Sequence, residues 1–245
     1  MNSVIASIES TPSLTPTIWW LGGAGFVVKY HSIIFYIDPV LPAGWDAAEI
    51  RHADMVLRTH VNDHGAGNDP TPEILKASRK AKVILPKSAA EAMKAAGVSY
   101  HRMTTTDADL RVEYFKLGVY GRVYSVPSSH GGLHYTPLGG YPYLGYLVRF
   151  GGFTIYHGGA GAPYEELADR LRPYNLSVAL LPIGEGHFSV EQAATLAGQV
   201  EAQWLVPMNC QADELDRFTD HMLGFRPNQR FKLFRSGEGW TLPAE

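Results

Sequence analysis

The chain of 245 residues has one cysteine, little net charge and no long apolar run. The single cysteine, Cys210, excludes an intramolecular disulfide and fits a reducing compartment. The formal net charge of −3 gives no reason to expect nucleic acid or an anionic membrane as a partner. No apolar run approaches the ~18 residues that a membrane span needs. We therefore predict a cytoplasmic protein, and the sequence leaves its oligomeric state open.

The organisation of the chain follows from its alternating segments. Residues 1–16 are polar and rich in Ser, Thr and Pro, without the basic start and apolar stretch of a signal peptide, which predicts a flexible leader. Residues 17–245 contain no linker that would divide them, which predicts a single domain. A β-rich part followed by helix–strand alternation, repeated roughly twice, predicts two sheets packed together with helices outside. A capping box at Ser189 and Gln192 marks one helix start.

The segment with the most chemistry is Thr59-His60-Val61-Asn62-Asp63-His64. It follows a short apolar run at 53–58 that indicates a buried strand. Two histidines and an aspartate so close together are typical ligands of zinc, iron or manganese. On these residues alone another interpretation stays open, in which the histidines bond loop carbonyls and the aspartate caps a turn.

Five other segments, in order along the chain, resemble landmarks of the metallo-β-lactamase superfamily. They are residues 20–26 (WLGGAGF), 37–39 (IDP), 156–160 (YHGGA), 180–184 (LLPIG) and 204–209 (WLVPMN). Together with the histidine motif they resemble the branch that contains ascorbate-6-phosphate lactonases and phosphodiesterase-like hydrolases. The resemblance spans residues 17–242 and implies an α/β fold, the four-layer αββα sandwich of that superfamily.

Four ligands of the family's binuclear metal site keep a counterpart in this chain. His60 matches the first histidine of the H-x-H-x-D-H signature, and Asp63 and His64 match its closing pair. His130 fits the ligand that follows further along the chain. The resemblance implies that these residues hold a metal.

Other ligand positions have lost their metal-binding side chains. The central histidine has no counterpart, because the segment is one residue short. Ala160 stands where the bridging aspartate is expected, Asn209 where the final histidine is expected, and Gly23 replaces a histidine of the opening motif. A pair of metal ions needs an anionic bridge. The site is therefore predicted to be at most mononuclear.

Two functional hypotheses remain open. In the first, the chain is a hydrolase of the lactone or phosphoester type acting on a small-molecule substrate, with one divalent metal (zinc, manganese or iron) and with Asp63 as the catalytic group that orients or deprotonates water. In the second, it binds no metal, has lost hydrolysis, and binds a small molecule or carries out acid–base chemistry with the freed histidines.

Residues after two later strands are candidates for the substrate pocket. His187 and Asn209 are predicted to bind substrate, although a histidine in the position of His187 more often belongs to a surface loop. Cys210 is either a nucleophile or a small packed residue.

Overall fold

The computed structural model describes residues 3–11, 13–61, 69–137 and 139–243. Contacts divide the chain into two compact units. Unit 1 comprises residues 1–106, 114–121 and 234–245, and unit 2 comprises 107–113 and 122–233. That residues 17–245 form a single domain stays a prediction. No helix of the described ranges has both the length and the apolar character of a membrane span.

Unit 1 contains a seven-stranded sheet in the order β14-β1-β2-β3-β4-β5-β6. Its strands are β1 (Thr17–Gly22), β2 (Gly25–Tyr30), β3 (Ile33–Ile37), β4 (Met55–Leu57), β5 (Lys82–Pro86), β6 (Met103–Thr106) and β14 (Gly239–Thr241). Its helices are α1 (Ser3–Ser10), α2 (Thr71–Ala77) and α3 (Ala90–Ala95). Strands β3 to β6 run parallel. Every residue of β3 and β4 is buried, which is typical of parallel strands covered on both faces.

The second sheet is also seven-stranded, in the order β13-β12-β11-β10-β9-β8-β7. Its strands are β7 (Arg111–Lys116), β8 (Val119–Pro127), β9 (Leu144–Phe150), β10 (Phe153–His157), β11 (Val178–Pro182), β12 (Trp204–Met208) and β13 (Arg230–Phe231). The tip of the β7–β8 hairpin, residues 114–121, belongs to unit 1. Strands β10 to β13 are parallel, so their carboxyl ends share one edge.

The helices of unit 2 are α4 (Leu167–Leu171), α5 (Val190–Gln199) and α6 (Ala212–Phe225). Helix α5 begins as its sequence predicts. The Ser189 side chain accepts a hydrogen bond from the backbone N–H of Gln192, and the Gln192 side chain accepts one from the backbone N–H of Ser189. These two bonds satisfy donors that a helix start otherwise leaves unpaired.

The predicted flexible leader is wrong for residues 3–10, which form α1. Ile5 and Ile8 are 0% exposed and belong to the core of unit 1. The buried ammonium of Lys29 donates to the carbonyls of Ile8 and Glu9, at 2.6 and 2.7 Å. A cation at these last carbonyls stabilises the helix end. Eight residues with only two buried apolar side chains, Ile5 and Ile8, gave too weak a periodic signal to predict a helix.

Because Ile8 is part of the core, Ile8→Ala should lower the free energy of unfolding by about 2–5 kcal/mol. Leu14→Ala is the control, since Leu14 is 77% exposed and its truncation should change stability by less than about 0.5 kcal/mol. Urea denaturation of both variants measures the difference. Equal stabilities would show that α1 does not pack on the core.

Candidate functional site

In unit 1, the polar residues of the site follow the carboxyl ends of β3 and β4. Asp38 comes directly after β3, and Arg58, Thr59 and His60 follow β4. The two strands are parallel neighbours, which brings these residues to one edge of the sheet. In open α/β sheets, this edge is where ligands bind.

The Asp38 carboxylate is buried, with 5% exposure, and is bonded on both oxygens. Its Oδ1 accepts the backbone N–H of Thr59 at 2.9 Å, and its Oδ2 accepts the Thr59 hydroxyl at 2.5 Å. The Arg58 guanidinium, 2% exposed, lies 3.6 Å from Asp38 and 3.4 Å from Asp69. A buried carboxylate is tolerated only with partners of this kind.

The Thr59 hydroxyl determines the tautomer of His60. Its oxygen lies 2.8 Å from Nδ1 of His60. Because the only hydroxyl proton goes to Asp38, the oxygen can only accept from His60. In the neutral ring the His60 proton therefore sits on Nδ1, and Nε2 carries the lone pair. This is the arrangement of a metal-binding or basic histidine held by a partner behind it.

Two of the four predicted metal ligands, Asp63 and His64, lie outside the described residues. Within the described ranges, no three His, Cys, Asp or Glu side chains form a group able to hold a metal ion. The predicted set of His60, Asp63, His64 and His130 therefore stays a prediction. His60 belongs to unit 1 and His130 to unit 2.

In unit 2, the candidate residues follow the carboxyl ends of β10, β11 and β12. Ala160, His187 and Asn209 occupy these three positions, one after each strand. The His187 Nε2 atom lies 3.0 Å from Nδ2 of Asn209. Asn209 has a φ of +55°, a left-handed conformation that asparagine adopts more readily than most residues. The structure thus brings the two predicted substrate-binding residues together.

His130 lies beside the position where the family has its bridging aspartate. Its Nδ1 atom is 3.3 Å from the carbonyl oxygen of Ala160, and its ring stacks on Tyr143 with centroids 4.8 Å apart. A carbonyl only accepts, so Nδ1 of His130 is the donor, and in the neutral ring Nε2 carries the lone pair. His130 and His60 therefore have the same tautomer.

The turn after β10 brings backbone close to this group. A Cβ atom at Gly161 would lie 2.5 Å from Oγ of Ser128 and 2.8 Å from the carbonyl oxygen of Gly158. Only glycine fits so close an approach. This packing explains why glycine stands at position 161.

Burial lowers the pKa of His187 below its ordinary value of 6.5. The backbone of Ala160 and Gly161 and the Glu214 carboxylate favour the charged ring, whereas His130 disfavours it. The Nδ1 atom is buried and has no partner with hydrogen-bond geometry among the residues that the structure describes. Desolvation therefore dominates, and His187 is neutral at pH 7.

Cys210 follows β12 and packs against the core of unit 2. Burial, with a smaller effect from the Glu214 carboxylate, raises the pKa of its thiol to about 11. Since the thiolate is the nucleophile, a thiol with so high a pKa is a poor one at neutral pH. The geometry favours Cys210 as a packed residue.

Comparison with known proteins shows the family of the chain. The profile of the β-lactamase superfamily domain matches residues 17–209. The chain belongs to the metallo-β-lactamase superfamily. It is 26% identical to a UPF0173 metal-dependent hydrolase of Hyperthermus butylicus, over 89% of this chain and 96% of that protein. It is 32% identical to one of Thermococcus kodakarensis, over 78% of this chain and 82% of that protein.

A solved structure shows the same fold. Igni18, a metallo hydrolase from Ignicoccus hospitalis, aligns with a TM-score of 0.72 and 18% identity, over 94% of this chain and 100% of that one. The predicted fold class, the α/β αββα fold of this superfamily, is confirmed.

Sequence reasoning missed the contact of Asp38 and Thr59 with His60. Asp38 was noted only as part of the resembling IDP segment. The available signal was an acidic residue directly after one buried strand and a hydroxyl residue directly before a histidine after the next strand.

We expect Thr59→Val to change the tautomer of His60 and Thr59→Ser to preserve it. Valine removes the acceptor for Nδ1–H and leaves Asp38 short of a donor, whereas serine keeps the hydroxyl. The ¹⁵N shifts of the imidazole report the tautomer directly, in wild type and in both variants. Retention of the Nδ1–H form in Thr59→Val would contradict the assignment.

The lowered pKa of His187 predicts how stability depends on pH. Below the ordinary value of 6.5 the unfolded chain takes up a proton that folded His187 resists, so the free energy of unfolding falls as pH falls through this range. His187→Gln keeps an amide for Asn209 and cannot titrate. The loss of stability between pH 7 and the folded pKa should be smaller in this variant than in wild type. Free energies of unfolding from urea denaturation that depend on pH in the same way in both proteins would contradict the lowered pKa of His187.

Proposed function

We propose that the chain is a hydrolase of the lactone or phosphoester type that works with one divalent metal ion. The observation that carries this proposal is the chain of bonds from Asp38 through Thr59 to His60. It orients a histidine with Nε2 as the lone-pair nitrogen, as metal-binding histidines require. The relatives named as metal-dependent hydrolases support it.

The donor set fits one ion better than two. His60 and His130 both hold their proton on Nδ1 through an oxygen acceptor. With Asp63 and His64 from the sequence, this set would supply three imidazoles and a carboxylate. Zinc, manganese and iron all accept such ligands. A bound ion would supply a water molecule whose pKa lies near ~7.

Two observations argue against a second ion. The methyl side chain of Ala160 cannot bridge two metal ions. The backbone carbonyl oxygen of Ala160 lies 3.3 Å from Nδ1 of His130. The Asn209 amide already contacts His187 at 3.0 Å. Both contacts support a site without the bridging and terminal ligands of an intact member.

The remaining residues have distinct roles in this proposal. Asp63 orients or deprotonates the attacking water, as the sequence predicts. His187 and Asn209 together offer an imidazole and an amide that can bond a carbonyl or phosphoryl oxygen of a small-molecule substrate.

A metal-free function is the second candidate. The contact between neutral His187 and Asn209 favours it, because this pair needs no ion for substrate binding or acid–base chemistry. In this case the histidines were kept for binding after hydrolysis was lost.

The test measures metal content and hydrolysis in wild type, His60→Ala and His101→Ala. Purified wild type should hold at most one transition metal per chain and hydrolyse a lactone or a phosphodiester. His60→Ala should lose metal, with an affinity drop of at least about tenfold, and should lose activity. His101 is an exposed histidine on a short 3₁₀ helix, so its variant should match wild type.

Three results would overturn parts of the proposal. Two tightly held equivalents would show that the site is binuclear. Hydrolysis that survives both chelator and His60→Ala would reject metal dependence. An inactive, metal-free wild type that still binds a small molecule, with binding weakened by His187→Gln, would favour the second candidate.

A further inference from the structure

Unit 1 contains a cavity of about 620 Å³ away from His60. It is lined by residues of three segments, 51–54, 77–80 and 114–117. The first segment ends where β4 begins, and the second ends just before β5. His60 follows the opposite, carboxyl end of β4. The cavity thus opens at the other edge of the same sheet and is not part of the site described above.

The cavity lining is strongly basic. Arg51, Arg79, Lys80 and Lys116 all line it, with His52 as a further base, and Asp54 is the carboxylate among the lining residues. The whole chain has a formal charge of −3, so this concentration of cations does not follow from a basic composition. Local basic clusters of this kind raise the concentration of anions.

Asp54 does not neutralise the cluster, because its bonds lie elsewhere. It is 7% exposed and accepts from the backbone N–H of Ile34 at 2.9 Å, the Tyr114 hydroxyl at 2.7 Å and Nζ of Lys116 at 2.8 Å. Burial, followed by the bond to Asp54, raises the pKa of Tyr114, so its hydroxyl stays a donor. Asp54 and Lys116 therefore compensate each other's charge.

Three cations remain. Arg51, Arg79 and Lys80 are exposed, and in the described part of the chain none forms a side-chain ion pair with a carboxylate. Glu9 lies near the rim, where it accepts the backbone N–H of Arg51 at 3.2 Å and approaches His52 at 3.8 Å. Its charge partly offsets that of His52 and leaves the three cations in excess.

The end of helix α2 at this cavity does not repel anions. The guanidinium of Arg102 donates to the carbonyls of Leu75, Ser78 and Ala81, at 2.6–2.9 Å. Leu75 lies in the last turn of α2 and Ser78 is its C-cap residue, so two of these carbonyls are at the end where the negative pole of the helix dipole is concentrated. Arg102 thus neutralises this end of the helix.

The cavity also has an apolar wall. Leu117 is 82% exposed at the tip of the β7–β8 hairpin, and Tyr114 and Ala77 lie in the same lining. An exposed leucine beside cations matches a ligand with both an anionic group and an apolar body. The volume is in the range of sites for small organic molecules.

We propose that this cavity binds a small organic phosphate. Arg51, Arg79 and Lys80 hold the phosphate group, and the body of the ligand packs on Leu117 and Tyr114. Three uncompensated cations match a doubly charged phosphate better than a singly charged carboxylate, and arginine bonds phosphate through two parallel N–H groups. The proposal is independent of the hydrolase activity.

Phenylphosphonate is a suitable probe, because it carries the anionic group and an aromatic body and has no ester to hydrolyse. Its binding is measured by calorimetry and by amide shifts in ¹H–¹⁵N spectra of the full chain, with methylphosphonate and phenylacetate in parallel. The variant Arg79→Gln/Lys80→Gln removes two cations of the lining. Lys87→Gln/Arg235→Gln removes the same charges from exposed positions of unit 1 outside the cavity.

Phenylphosphonate should shift the amides of 51–54 and 77–80, bind more tightly than the other two compounds, and lose at least about tenfold in affinity in the cavity variant. The control variant should match wild type. No binding to wild type, equal binding to the cavity variant, or shifts confined to the surroundings of His130 and His187 would overturn the proposal. Phenylacetate binding as tightly as phenylphosphonate would show that the site takes carboxylates and that the phosphate assignment is wrong.

Discussion

The bonds of one buried carboxylate, Asp38, determine the chemistry of unit 1. Buried with 5% exposure, this group needs its bonds to the backbone N–H and hydroxyl of Thr59 and the nearby guanidinium of Arg58. These partners come from the residues after β4, so the carboxylate holds this loop to the end of β3. The same hydroxyl then determines the tautomer of His60. The burial of Asp38, the position of the loop after β4 and the orientation of His60 therefore depend on the same hydrogen bonds. Loss of one of these bonds affects all three.

The chain has the superfamily fold, and its sequence predicts that part of the family's ligand set is absent. Ala160 and Asn209 occupy the positions after β10 and β12 where an intact member is expected to have metal ligands. Their neighbours still pack closely, with His130 near the Ala160 carbonyl and His187 against Asn209. A fold stabilised by its sheets and cores does not depend on these side chains, so it persists when the chemistry changes. Function must therefore be argued from the tautomers and contacts that remain.

The parts that could be predicted from sequence are those that depend on neighbouring residues or on ordered landmarks. The buried strand β11 and the capping box of α5 follow from local patterns, and the resembling segments led to the fold class. The hydrogen bonds from Asp38 to Thr59 join residues 21 positions apart, so the available sequence signal predicts this contact only once the pairing of β3 with β4 is known. Helix α1 was missed because its stability comes from packing of Ile5 and Ile8 on the core and not from the helix propensity of its short sequence. The basic cavity was missed since three distant segments line it.

The sheet of unit 1 uses the same bonding at both ends of β3 and β4. At one end Asp38 accepts a backbone N–H from beyond β4 and a hydroxyl, and it lies 3.6 Å from a guanidinium. At the other end Asp54 accepts the backbone N–H of Ile34 in β3, the Tyr114 hydroxyl and the Lys116 ammonium. Each carboxylate joins the two strands, and each is compensated by one cation. The consequences differ because of what lies next to the hydroxyl group. The Thr59 hydroxyl, which donates to Asp38, also accepts a hydrogen bond from His60. Near Asp54, by contrast, the cavity lining contains cations that no carboxylate of that lining compensates. The same kind of carboxylate bonding therefore orients His60 at one edge of the sheet and lies beside an excess of positive charge at the other.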